Sequence, residues 1–154
     1  MSEEPVDPDG VDAEAVVDGP PSAGELAVLV AIAVGGIIGA EGRYGIDRLV
    51  PATSAGFPWA TFTINVSGCL FMGALMVVLT ELLTPHRLLR PLLGIGILGG
   101  FTTFSGFTVD TVRLLDAHRS GLALGYLVST LAVAAAALAM GTVTTRWLGR
   151  RAGS

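Results

Sequence analysis

The stretch GGFTTFSGF, residues 99–107, lies inside a long apolar run, and its reading decides how the rest of the chain is understood. Two adjacent glycines precede the β-branched Thr102 and Thr103, a combination that weakens an α-helix where the flanking sequence favours one. Three hydroxyl side chains and three phenylalanines share the same short stretch. A helix broken at bilayer depth is tolerated only where protein or a polar cavity supplies partners for the freed backbone groups. Freed carbonyls can coordinate a cation, so the local chemistry points to an ion site without naming the ion.

The flanking sequence supports a membrane setting. The chain has 154 residues, of which 51% are hydrophobic and 14% charged, with a mean hydropathy of +0.68; average soluble domains are far less apolar. A helix needs roughly 20 apolar residues to cross the hydrocarbon. Four runs qualify: residues 26–39 continued through GAEGRYG, 59–79, 92–109 and 122–143. Trp59 and Trp147 stand at span ends, where amphipathic rings favour the headgroup region. The connections are short and carry Pro51, Pro58, Pro85 and Pro91, residues suited to helix ends. The expectation is an all-α membrane protein with four transmembrane helices per subunit, the third broken at mid-membrane. Residues 26–149 form that domain and leave no room for a soluble catalytic unit, so an enzyme is not expected.

Charge is segregated along the chain. Residues 1–25 hold eight acids and no Arg, whereas the rest carries nine Arg and five acids. This proline- and glycine-rich start has no aromatic residue and too little apolar surface to offset chain ordering. It reads as a disordered acidic tail, suited equally to high salt or to an interaction partner, and residues 150–154 read as a short C-terminal tail. Counting Arg on alternate sides of the spans sets Arg87, Arg90, Arg146, Arg150 and Arg151 against Arg43, Arg48, Arg113 and Arg119. So even a distribution gives little orientation bias, and insertion in both orientations followed by antiparallel pairing is the expectation.

No ionisable residue stands at a clear midplane position, where proton or ion relays would need one. The polar residues inside the spans are neutral, among them Asn65, Thr102, Thr103, Ser105, Ser129 and Thr130. Asn65 serves either as interhelical glue or as an amide donor to an anion. Ser129 and Thr130 bond back to their own helix by default. Phe101, Phe104 and Phe107 would form one packing stripe on an intact helix. Cys69 reads as packing, as do Gly68 and Gly73, and His86 and His118 have no adjacent ligand cluster.

Three stretches in this order, GGIIGAEGRY (35–44), TFTINVSGCLFMG (61–73) and GGFTTFSGFTVD (99–110), resemble the Fluc, or CrcB, family of small fluoride channels. The resemblance covers roughly residues 26–149. It implies an antiparallel, dual-topology dimer with two fluoride pathways and a structural sodium ion at the dimer centre, held by backbone carbonyls of Gly99 and Thr102 from both subunits. It also implies that Phe104 and Phe107 line the pathway with Asn65, that Tyr126 with Ser129 or Thr130 contributes from the fourth helix, and that Arg43 attracts anions to a vestibule. Gly106 departs from the family's usual hydroxyl residue and Asp110 from its usual Glu.

The implied activity is passive export of cytosolic fluoride across the cell membrane, which lowers fluoride toxicity. The implied partners are fluoride, the lipid bilayer and a second copy of the chain or a related subunit; nucleic acid is not among them. Two other readings compete. A proton-coupled small multidrug-type exporter needs a carboxylate deep in the first span, and residues 26–40 contain none. A non-transporting membrane scaffold subunit would explain the packing glycines but not the grouping of Asn65, Phe104 and Phe107.

Overall fold

The computed structural model describes residues 22–50, 56–83 and 86–152. Residues 1–21 of the expected acidic tail, and 153–154 of the C-terminal one, lie outside the described residues. Helix α1, Ala23–Leu49, starts ahead of the expected Leu26 because Ser22 and Glu25 form a capping box. Glu25 N–H donates to Ser22 Oγ at 3.3 Å and Ser22 N–H to Glu25 Oε2 at 2.7 Å, which satisfies two otherwise orphaned donors.

Helix α2, Trp59–Val77, continues through a π-helical turn, Val78–Leu82. Helix α3, residues 91–101, is a π-helical stretch, Pro91–Leu98, running into one α turn, Gly99–Phe101. Pro91 opens it, where a missing N–H is harmless. Helix α4 spans Phe104–Asp116 and α5 spans Ser120–Ala152.

Among the described residues, four helical spans are long and apolar enough to cross a membrane: Ala23–Leu49, Trp59–Leu82, Pro91–Asp116 and Ser120–Arg151. Each outruns its charge-free core. The stretches GIDRL and DTVRLLD, read as connections in the sequence, are helical. Charged residues extend a helix without penalty where long side chains reach toward water at its ends. Glu81 and Arg146 do so as a pair: Arg146 Nε donates to both Glu81 oxygens at 2.8 and 2.9 Å and its terminal nitrogen to one at 2.6 Å. That bidentate contact ties the end of α2 to α5.

The helices pack as two close pairs, α1 with α3 and α2 with α5. Glycine sets both contacts. A Cβ at Gly35 or Gly39 of α1 would overlap the carbonyl oxygens of Leu92 or Ile97, and one at Gly73 or Gly141 would overlap those of Leu138 or Leu70. Without a hydrophobic driving force between helices in lipid, such close backbone approach supplies the packing energy.

Helix α4 packs on α5 through Phe107, Leu114, Ala123 and Tyr126. The chain reverses between them at His118, whose φ of 57° is left-handed. Arg119 N–H reaches Leu114 O and His118 N–H reaches Leu115 O, both at 2.9 Å, the paired bonds of a Schellman cap. Large apolar side chains such as Leu29, Ile37, Phe71, Leu124 and Leu131 remain exposed on the spans, a surface suited to lipid rather than water.

Candidate functional site

Helical geometry stops for two residues after Phe101. Thr102 has φ −73° and ψ 155° and Thr103 φ −144° and ψ 119°, both extended. Asn65 of α2 occupies the gap. Thr103 N–H donates to Asn65 Oδ1 at 2.9 Å, and Asn65 Nδ2 donates to the Thr103 carbonyl at 3.0 Å. Because the backbone offers one fixed donor and one fixed acceptor, it dictates which way the amide points. Of the two roles open to Asn65, the interhelical bond is therefore present, and it uses one of the two Nδ2 hydrogens.

Thr103 also starts α4, its Oγ1 accepting from Gly106 N–H at 3.0 Å, the standard use of Thr at an N-cap. In a continuous helix the N–H of residue 103 would close on the carbonyl of Gly99, and that of residue 106 on Thr102. Both donors are diverted here, to Asn65 and to Thr103 Oγ1. The diversion releases the two carbonyls, at Gly99 and Thr102, from those partners.

Glycines make room for this arrangement. A Cβ at Gly68 would overlap Thr102 Cγ2, and one at Gly106 would stand 2.9 Å from Thr103 Cγ2. Gly106 therefore sits directly against the methyl group of Thr103. The interruption also splits the phenylalanine series, so the single stripe expected of an intact helix does not form. Phe101 turns toward Gly42 and Gly68, whereas Phe104 and Phe107 stay together, ring centroids 5.9 Å apart and planes inclined 46°.

Beside the interruption lies a cavity of about 280 Å³. Asn65, Thr102, Thr103, Phe104, Phe107 and Thr130 reach its wall, with Cys69 and Met72. Of Ser129 and Thr130, it is Thr130 that reaches this wall. Ser129 is not on the wall and its Oγ bonds back to Tyr126 O at 3.3 Å. Thr130 is 4% exposed, and its Oγ1 has no hydrogen-bond partner among the described residues. Tyr126 is not on the wall either; its ring packs on Phe107 at 5.2 Å, fully buried. Phe107 is buried at 6% exposure, while Phe104 is 78% exposed.

A second cavity, about 440 Å³, opens between the end of α1 and the starts of α2 and α4. Arg43, Thr61, Ser105, Asp110 and Arg113 line it, and Thr103 lines both cavities. Arg43 Nε is buried without a partner among the described residues. Asp110 accepts from Thr61 Oγ1 at 2.5 Å and pairs with exposed Arg113 at 3.3 Å. The shorter Asp side chain thus reaches α2, a contact that sequence reading left out because its partner lies 49 residues away. Among the described residues no cluster of three or more His, Cys, Asp or Glu side chains is arranged to hold a metal.

Residues 30–142 match the family described as CrcB-like protein, Camphor Resistance (CrcB). The chain is 49% identical over 108 residues to a fluoride-specific ion channel, FluC 2, of Streptomyces avermitilis, covering 70% of this chain and 68% of that one. It is 47% identical to the fluoride-specific ion channel FluC 2 of Nocardia farcinica, covering 79% and 86%. It is 39% identical to the fluoride-specific ion channel FluC of Paracoccus denitrificans, covering 76% and 93%.

Proposed function

This chain belongs to the CrcB-like family and is a multi-pass membrane protein, and on that premise we propose that it is a fluoride channel of the cell membrane, not an enzyme, that lets cytosolic fluoride leave passively. The observation that carries the proposal is the single cavity onto which Asn65, Phe104, Phe107 and Thr130 converge. Aromatic ring edges carry partial positive charge and can face an anion that has shed water. The second Nδ2 hydrogen of Asn65 would be a further donor, as would the Thr130 hydroxyl, buried and without a partner among the described residues, once it turns toward the cavity. Neutral donors and ring edges can replace hydration without binding too tightly for release. Arg43 and Arg113, on the adjoining cavity, would raise the local anion concentration.

The working unit in this reading is an antiparallel dimer of this chain with a second copy or a related subunit. Its support is the near-even Arg distribution and the exposure of Phe104 and Gly99, groups that a second copy would cover. A structural sodium ion fits the break. Gly99 and Thr102 would hold it through the carbonyls whose helical donors are diverted, and hard oxygen ligands suit a hard cation. The ion would fix the two interruptions against each other.

Among the described residues no carboxylate lines the inner cavity, which weighs against a proton-coupled exporter. Purified protein in liposomes loaded with potassium fluoride, followed with a fluoride electrode, tests the function. The expected result is efflux well above that of protein-free liposomes; efflux equal to theirs would refute it.

A further inference from the structure

Residues 1–21 hold seven acids and no basic residue, and they lead into α1 at a point faced by arginine. Arg87, shortly before α3, lies against the first turn of α1: a Cβ at Gly24 would stand 3.2 Å from its Nη1 and 3.9 Å from Ser22 Oγ. Arg87 and Arg90 are both exposed, and both line a third cavity of about 560 Å³. That cavity shares Met72 with the inner one. Among the described residues neither arginine has an ion pair. The acids described at this end of the bundle are committed elsewhere, Glu25 to the Ser22 cap and Glu81 to Arg146. Asp18 precedes Ser22 by four residues, a separation that lets the chain span up to about 14 Å, so the acids have the reach these two guanidiniums require.

We propose that residues 1–21 dock through their carboxylates on Arg87 and Arg90 and so cap the mouth of this cavity. One exposed ion pair is weak. Here the two partners belong to one chain, and a short tether holds the effective carboxylate concentration at millimolar or above. Seven acids facing two guanidiniums raise the occupancy again, because any of them can take the place of another. An anionic lipid headgroup offers the same charge but lacks the tether. Negative charge seated at the mouth repels fluoride and cancels the attraction of the two arginines. That consequence rests on the proposed conduction function; the docking does not.

The chain has no lysine, which makes the docking directly readable. Arg87→Lys keeps the charge and adds an amine, and a carbodiimide joins that amine to any carboxylate in contact with it, with loss of water. The full-length variant is treated in phosphatidylcholine vesicles and its crosslinked peptides are identified by mass spectrometry. The introduced amine should join acids between Glu3 and Asp18. The yield should fall roughly threefold or more in 1 M salt, where the screening length drops to about 3 Å. Arg119→Lys, at the other end of the bundle, is the comparator and should give little of this product. Crosslinks only to Glu25 or Glu81, none at all, an equal yield from Arg119→Lys, or a yield indifferent to salt overturns the docking. Loss of the product when phosphatidylglycerol is added gives the arginines to lipid and also overturns it. Fluoride efflux tests the consequence. Changing the seven acids together to their amides should raise the initial rate about two- to threefold. An unaltered rate in a conducting protein overturns the cap, and should wild type conduct no fluoride, the conduction reading fails while the crosslinks still decide the docking.

Discussion

Asn65 and Thr103 are joined as residues on neighbouring β-strands would be, the side-chain amide of one exchanging two hydrogen bonds, 2.9 and 3.0 Å, with the backbone of the other. A side chain from α2 thereby replaces the helical partners that residue 103 gives up. The interruption in the third span is held from outside its own helix.

Removing that clamp should loosen the break. Asn65→Ala deletes two hydrogen bonds, each worth about 1 kcal/mol, so thermal unfolding in detergent should show a loss of roughly 2 kcal/mol. Asn65→Asp should be worse, since it removes the donor and sets a carboxylate against the Thr103 carbonyl. An Asn65→Asp protein as stable as wild type would contradict the clamp.

Thr130→Val separates pathway from packing. The substitution keeps shape and removes a hydroxyl that has no partner among the described residues, so stability should hold or rise. Fluoride efflux should fall by roughly tenfold or more, because a hydrogen bond to a charged group contributes about 1.5–3 kcal/mol. Ser129→Ala, which removes only a bond to Tyr126 O, should leave efflux unchanged. Equal effects of the two changes on efflux would count against the assignment.

The glycine contacts make a sharp pair of expectations within one helix. A Cβ at Gly141 overlaps Leu70 O, whereas one at Gly125 meets nothing within 4 Å among the described residues. Gly141→Ala should therefore cost about 1–3 kcal/mol by overpacking. Gly125→Ala should gain up to about 1 kcal/mol from helix propensity. Denaturant titration of the two variants beside wild type checks both signs.

His118 holds a left-handed φ of 57° at the α4–α5 corner, where glycine is the usual occupant of a Schellman cap. His118→Gly relieves a strain of about 1–2 kcal/mol, less the entropy glycine adds to the unfolded chain. A small rise in the unfolding midpoint, with efflux unaltered, is the expected outcome.

The four spans were legible because absence of charge over a bilayer's width leaves a helix few alternatives. Their ends were not, because charged residues such as Arg48, Glu81 and Arg146 join a helix once water or a partner is within reach. Asn65 was legible as a polar residue out of place in an apolar run, whereas Phe104 and Phe107 read as packing until the family resemblance implied a pathway role. What Asn65 does was hidden, since its partner is a backbone unit 38 residues away. Which of Ser129 and Thr130 reaches the cavity wall depends on the rotation of α5, which adjacent residues do not encode.

The most direct measurement loads liposomes with both fluoride and chloride and follows each anion electrode for wild type and Phe107→Ile side by side. Selective fluoride release by wild type, largely lost when an aliphatic side chain replaces the buried Phe107 ring, is the predicted result. Equal release of both anions, or a Phe107→Ile protein that releases fluoride as fast as wild type, would contradict a fluoride pathway through this cavity.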